Sequence, residues 1–239
     1  MGSMDATKKP HILITGCART GTSLLTLLMD GFAGLQVHLD TERSPVDFID
    51  QFYNRRQVIK LPQGRKTPTA DFGSPVDYDD SSVCYLQNYL YDWLILLCVR
   101  DARDILVSKH ERYPDRYFVS PLRCRLSLER GMAIMNHPHV LVVRYEELVT
   151  TPQTVMDQVA LFIGESYNTS HLEQFYTKFN AESELTRALN GLRPIDRASI
   201  GNWKKPEHRQ RIAEVNPYFQ QYIAPLMKRL GYEIDMMTG

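Results

Sequence analysis

The chain alternates short apolar runs with longer stretches of helical spacing. Residues 11–15 (HILIT), 57–62 (QVIKLP), 93–99 (WLILLCV) and 140–143 (VLVV) are aliphatic or β-branched with little polar interruption, the pattern of strands buried on both faces. Residues 22–29, 47–53, 82–91, 105–113 and 122–135 read as helices. Thr151-Pro152 opens another that runs to about 162, with Val155, Val159, Phe162 and Ile163 toward the core. Residues 171–179 and 207–230 complete the helical content, the last segment interrupted at Asn216-Pro217 and near Pro225. Residues 37–45 (VHLDTERSP), if extended, place His38, Asp40 and Glu42 on one face; the same composition also suits a solvated acidic loop. Alternating strands and helices predict an α/β fold with a central, mostly parallel sheet flanked by helices. Residues 63–80, rich in Pro, Gly, Asp and Thr, and the uneven stretch 181–197 predict surface segments able to cover a ligand.

Composition narrows the picture. With 239 residues, 43% of them hydrophobic, and no internal linker, residues 11–235 are expected to form a single domain behind a disordered or tag-like stretch, 1–10. Met1-Gly2-Ser3 before Met4 reads as an appended tag. Lys+Arg and Asp+Glu are equal at 28 each, which argues against a nucleic-acid binder dominated by phosphate contacts, so any anion site must be local. The longest apolar run, residues 93–99, is too short to span a membrane, and no apolar signal core precedes the first strand. Cys17, Cys84, Cys98 and Cys124 show neither metal-ligand spacing nor a disulfide framework, which predicts reduced thiols, no bound metal and a cytoplasmic location.

The pattern becomes chemistry at two strand–helix junctions. The first is GCARTGTS, comprising Gly16, Cys17, Ala18, Arg19, Thr20, Gly21, Thr22 and Ser23. Its G-x4-G-T-S spacing is that of a P-loop, which aims backbone N–H groups and a helix N-terminus at an anion. Thr22 stands where a nucleotide triphosphatase has its Lys, so the loop suits an anion of lower charge, with Arg19 as its cation. The fold is therefore expected to be P-loop-like, in three layers. At the second junction, strand 93–99 ends in Arg100-Asp101-Ala102-Arg103-Asp104. Ser108 and Arg112, four residues apart, would share a face of helix 105–113, and Arg100 could join them around a phosphate. The alternative is a salt-bridged surface helix carrying Arg103, Asp104 and Glu111. Lys60, ending its strand, either faces the same crevice or snorkels at the surface. Arg123, Arg125 and Arg130 are expected in solvent.

Four stretches now stand in order: GCARTGTS, VRDARDILVS, VRYEEL and SIGNWKK, within residues 12–205. Together they resemble the PAPS-dependent sulfotransferases, most closely the branch containing the protein-tyrosine enzymes. The resemblance implies that residues 16–23 bind the 5′-phosphosulfate, with Arg19 at the position of a catalytic Lys or Arg. Arg100 and Ser108 fall on the 3′-phosphate site, joined by Arg112 in the tyrosine-enzyme branch. Tyr145 falls on a cofactor-contacting tyrosine, and Ser199, Gly201, Trp203 and Lys204 on a late loop that closes over the cofactor. Two departures stand out. The Lys-Thr-His of the cytosolic enzymes is here Lys60-Leu61-Pro62, so Lys60 is kept but the general-base His is not. The tyrosine enzymes take a Glu from the segment after the first helix, where this chain offers Asp40 and Glu42. The Arg-Lys-Gly run of the cytosolic branch is also missing, and Arg197 stands near its place.

The implied activity is in-line transfer of the sulfuryl group of PAPS to a hydroxyl of a glycan, a lipid or polyketide, or a phenol, releasing PAP without a metal. Asp40 or Glu42 would take the acceptor proton, worth roughly 10²–10⁴-fold. His38 and His110 are next in line. Arg19 and Lys60 would offset charge building on the transferred and leaving groups. The competing readings are a P-loop kinase or nucleotide triphosphatase with a degenerate loop, using Mg²⁺ and Asp101, and a binding module without turnover.

Overall fold

The computed structural model describes residues 9–42, 55–61, 93–110, 113–179 and 192–234. The helices expected at 47–53 and 82–91, the loop 63–80, Cys84, Glu111, Arg112 and the side chains of Asp40, Glu42 and His110 lie outside the described residues.

The apolar runs form the expected strands. β1 (His11–Gly16) leads through a glycine loop into α1 (Thr22–Met29); β2 (Leu35–Glu42), β3 (Arg56–Lys60) and β4 (Trp93–Val99) follow. After β4 come a short α2 (Ala102–Leu106) and an antiparallel hairpin of β5 (Lys109–His110) and β6 (Tyr113–Tyr117). α3 (Pro121–Ile134), β7 (Val140–Arg144), α4 (Tyr145–Thr150), α5 (Pro152–Ile163) and α6 (His171–Lys178) complete the body. The main sheet has strand order β2-β3-β1-β4-β7, with every pairing parallel. From β1 the chain crosses to the edge strand β2 and returns to β3 beside β1, then passes to β4 and outward to β7 on the other side, so the connections leaving β1 and β4 run in opposite directions. The order therefore reverses between β1 and β4, and the crevice at the carboxyl ends of those strands is where an open α/β sheet binds ligands.

Strand alternation divides the core in two. Leu13, Ile95, Leu97 and Val99 face one side and pack on α3 and the C-terminal helices. Ile12, Ile14, Leu94 and Leu96 face the other and pack on α1, α5 and α6. Each such side chain, removed fully from water, contributes about 1.5–3 kcal/mol. α1 is apolar on nearly every side because β2, β3 and α6 all pack against it. At the C-terminus, α7 (Arg209–Tyr218) contains Pro217 without ending there. A π-helical turn at Phe219–Ile223 follows, and α8 (Ala224–Arg229) starts anew with Pro225 in its first turn.

Several expectations are corrected. The helix expected over 105–113 stops at Leu106, and the β5–β6 hairpin takes its place, so Ser108 lies outside the helix. The Ser108 hydroxyl turns back to donate to the Asp104 carbonyl at 2.8 Å, and Ser108 C=O accepts from Phe118 N–H at 2.8 Å, which closes the hairpin base. Nor is this a salt-bridged surface helix, since Arg103 and Asp104 are both buried. Arg130 is buried rather than solvated, because α3 is wedged between the sheet and the C-terminal helices. Thr151 precedes α5 without capping it; its hydroxyl donates to Glu147 C=O instead. Residues 37–42 are extended, but five residue steps on β2 (Val37 to Glu42) span two on β3 (Val58 to Lys60). That irregularity interrupts the simple alternation expected for His38, Asp40 and Glu42.

Candidate active site

The carboxyl edge of the sheet gathers the junctions marked in the sequence. β1 ends at Gly16, β3 at Lys60, β4 just before Arg100 and β7 just before Tyr145. Two glycines make the first loop possible. A side chain at Gly16 (φ 145°) would sit 2.3 Å from the Cys98 carbonyl oxygen, and one at Gly21 (φ 92°) would sit 2.6 Å from the Tyr145 ring. Between them Arg19 takes a left-handed φ of 74°, alone among the described non-glycine residues. Thr20 fastens the turn, donating to the Cys17 carbonyl through its N–H at 3.3 Å and its hydroxyl at 2.7 Å. Leu25 N–H makes the first intrahelical bond, to Gly21, so the N–H groups of Thr22, Ser23 and Leu24 have no carbonyl within the helix. Lys60 is buried and its Nζ stands 3.4 Å from Ser23 Oγ, which puts its ammonium in the crevice rather than at the surface.

Arg100 joins this loop to the late loop. Only 7% exposed, it donates from Nη1 to Arg19 C=O at 3.1 Å and from Nη2 to Ser199 C=O at 2.5 Å. Its guanidinium carbon lies 4.2 Å from the Tyr145 ring centroid, and Nη2 is 3.8 Å from Asp104 Oδ2. Its Nε is buried with no hydrogen-bond partner. Leaving such a donor unmet costs about 1–3 kcal/mol, which a ligand oxygen would recover.

Asp104 is the residue that sequence reasoning missed. Its side chain is 1% exposed, and its two oxygens accept the Gly201 and Trp203 N–H groups, each at 2.9 Å. Burial pushes its carboxyl above the usual Asp range, against the opposing pull of Arg100 and these two N–H donors. Trp203 lies against Arg103, at 4.1 Å from guanidinium carbon to ring centroid, with Lys204 Nζ at 5.4 Å from the same ring. Arg103 chelates Asp101, whose N–H donates to Glu146, and Glu146 accepts in turn from the Tyr232 hydroxyl. Burial, with the Glu146 carboxylate beside it, raises that hydroxyl's pKa well above the usual tyrosine value. The late loop is therefore pinned from beneath by Asp104 and Arg103.

The structure thus brings together residues 16–23, Lys60, Arg100, Ser108 (through Asp104), Tyr145, Ser199, Gly201, Trp203 and Lys204. Arg197 is placed differently: it is exposed, and its guanidinium donates to Thr150 C=O. His38 is bonded to Gln57 at 2.7 Å. The backbone of Glu42 pairs with that of Lys60, so position 42 lies beside the cationic end of β3. Next to the glycine loop, an open cleft is lined by Gly21, Leu24, Tyr145, Val149 and Phe175 on one side and residues 192–196 on the other. On the opposite flank, the Arg19 guanidinium carbon lies 5.4 Å from the Phe118 ring centroid. Among the described residues no helix is long and apolar enough to cross a membrane, and no three His, Cys, Asp or Glu side chains converge as metal ligands.

A family model described as "Sulfotransferase domain" matches residues 91–231, more than half of the chain. The chain belongs to that family. The match takes in Arg100, Ser108, Tyr145 and the 199–204 loop of this sulfotransferase domain, and the glycine loop precedes it. Solved structures share the fold over most of the chain. The sulfotransferase domain from the Synechococcus PCC 7002 olefin synthase is 16% identical with a TM-score of 0.60, covering 95% of this chain and 96% of its own. Mouse sulfotransferase SULT7A1, complexed with PAP, is 13% identical with a TM-score of 0.59, covering 95% and 90%. The sulfotransferase domain from the curacin biosynthetic pathway is 15% identical with a TM-score of 0.57, covering 87% and 98%. No curated protein sequence matches the chain.

Proposed function

We propose that this domain transfers the sulfuryl group of PAPS to a hydroxyl acceptor and releases PAP. The observation that carries the reading is Arg100, a buried cation with a spare donor. It ties the glycine loop to the late loop at the switch point of a sulfotransferase-family sheet. PAPS supplies an activated sulfuryl group on a phosphosulfate. On the chain's side, residues 16–23 offer backbone N–H groups and Arg19 to the 5′ end, and Arg100 with Ser108 and Trp203 surrounds the 3′-phosphate. The cleft beside Tyr145 and Phe175 has the apolar walls a purine base requires. Complexes with PAP among the structural neighbours support the same cofactor. Lys60 and Arg19 stand where charge develops on the leaving oxygen, so their stabilisation is already in place when the bond breaks. The acceptor's proton goes to a carboxylate on β2. The register beside Lys60 favours Glu42 over Asp40, and the Gln57 bond to His38 favours either over that histidine.

The acceptor belongs to the small-molecule, glycan or lipid/polyketide hydroxyls. One neighbour, a retinol dehydratase, was solved with androsterone. Calorimetry with PAP and with Mg-ATP tests the nucleotide. Micromolar PAP binding is expected, whereas ATP binding without PAP binding would overturn the reading in favour of a kinase or triphosphatase. Turnover of PAPS against a panel of hydroxyl acceptors then tests transfer itself.

A further inference from the structure

We propose that Tyr232 is a positioning residue for Arg100, acting through Glu146, an inference that rests on reading Arg100 as the cation of the 3′-phosphate site. The Arg100 guanidinium carbon lies 4.2 Å from the Tyr145 ring centroid, and each of these two residues is followed in the chain by one partner of a single bond. Asp101 N–H, which belongs to the Arg100–Asp101 peptide, donates to Glu146 Oε1 at 2.8 Å. That bond ties the end of β4 to the start of α4 and so sets where Arg100 stands beside Tyr145. It is only as firm as the Glu146 side chain, which must give up its rotamer freedom to make it. The Tyr232 hydroxyl supplies the second hold, donating to Glu146 Oε2 at 2.9 Å.

Tyr232 is itself placed by the end of α8. Gly231 N–H donates to Lys228 C=O at 2.9 Å and Tyr232 N–H to Met227 C=O at 3.0 Å, the two bonds of a Schellman turn, with Gly231 left-handed at φ 77°. The Tyr232 ring packs on the core cluster and lies against Arg144, its centroid 4.5 Å from the guanidinium carbon, while Arg144 donates to Leu230 C=O. One aromatic side chain therefore grips the residues on both sides of Tyr145. Glu233 reaches the same relay from its other end: its C=O accepts from Arg103 Nη2 at 3.2 Å, and Arg103 chelates Asp101 and lies against Trp203. Burial and the Glu146 carboxylate keep the Tyr232 hydroxyl protonated, so it remains a donor.

Calorimetry on Tyr232→Phe with PAP and with 5′-AMP, which lacks the 3′-phosphate, tests this. The substitution removes the hydroxyl and keeps the ring on Arg144. PAP affinity should fall roughly three- to tenfold, because Arg100 keeps its charge and loses its fixed place, while 5′-AMP affinity should change by less than about twofold. Equal weakening of both nucleotides would show a general structural role and overturn the proposal. So would unchanged PAP affinity. Tyr167→Phe is the control: it removes a buried hydroxyl that has no hydrogen-bond partner among the described residues, beside Phe32, and should leave PAP affinity unchanged. A loss there as large as in Tyr232→Phe would also overturn the proposal. If the wild type prefers PAP to 5′-AMP, and Arg100→Ala erases that preference while Tyr232→Phe keeps it, the 3′-phosphate site stands and only the Tyr232 role falls. If folded wild-type protein binds PAP no more tightly than 5′-AMP, the 3′-phosphate reading falls, and the Tyr232 role falls with it.

Discussion

Asp104→Asn would break the pin under the late loop while nearly preserving shape. The carboxylate accepts two backbone N–H groups at 2.9 Å and faces Arg100 at 3.8 Å, all in a nearly water-free setting. Charge-assisted bonds of this kind contribute about 1.5–3 kcal/mol each. Asparagine retains one carbonyl oxygen, so one N–H keeps its acceptor. Its NH₂ then faces the other N–H, donor against donor, and leaves it unmet. Part of the loss is recovered because a buried charge no longer has to be desolvated, the same effect that raises the Asp104 pKa. The balance is about 2–3 kcal/mol. For a domain of this size that lowers Tm by roughly 5–10 °C. Arg100 loses its neighbouring charge and the 199–204 segment its anchor, so PAP affinity should fall about tenfold or more, equivalent to 1.4 kcal/mol or above. Thermal unfolding and calorimetry on the same variant decide the matter. A wild-type Tm together with wild-type PAP affinity would refute the reasoning. A lowered Tm with unchanged affinity would make Asp104 a brace of the fold with no part in the site.

Arg100→Ala should reduce PAP affinity by at least a hundredfold, since it removes both the cation and the tie between Arg19 and Ser199; titration calorimetry reads it, and a loss under threefold would remove Arg100 from the site. Glu42→Gln and Asp40→Asn separate the candidate bases: the true base should lose roughly 10²–10⁴-fold in turnover with PAP affinity intact. Near-normal turnover in both would move the role to His38 or His110. Glu165 supplies a pH test. Burial alone would raise its carboxyl, but bonds from Lys9 and Arg56 hold it below the ordinary value of 4.5. A depressed carboxylate stabilises above its unfolded pKa and loses that contribution as pH falls through the folded one. The Tm gap between wild type and Glu165→Gln, equivalent to about 1 kcal/mol at pH 7, should therefore close below pH 4.5. A gap that stays constant down to pH 3 would exclude the ion pairs as its cause.

The framework was legible because it is written locally. The β-branched run of β1, the two glycines and the leucines of α1 are consecutive, and each obeys its own propensity. The same holds for the unbroken apolar run of β4 and its abrupt end at Arg100. Asp104 was illegible for the opposite reason. Among Arg100, Asp101 and Arg103 it has the composition of a solvated helix face, and its burial depends on Gly201 and Trp203, 97 and 99 residues away. Arg130 likewise sits on a helix whose charged flank looks exposed until the C-terminal helices cover it. The hairpin at residues 109–117 was misjudged because propensity allowed α2 to continue. The element that replaces it depends on Phe118 N–H reaching back to Ser108 C=O, a pairing that local propensity does not announce.

The bonds made by Arg100 span 81 and 99 residues of chain. The last strand of the main sheet ends at Arg144, whereas the ligand crevice is unfinished until Trp203 has arrived. On the ribosome the strands are thus all made well before the site, while one half of the core waits for Phe219, Ile223 and Met227. Because closing such long loops comes late and slowly, cofactor binding should be among the last properties a refolding chain regains, after its strands and both halves of its core are in place.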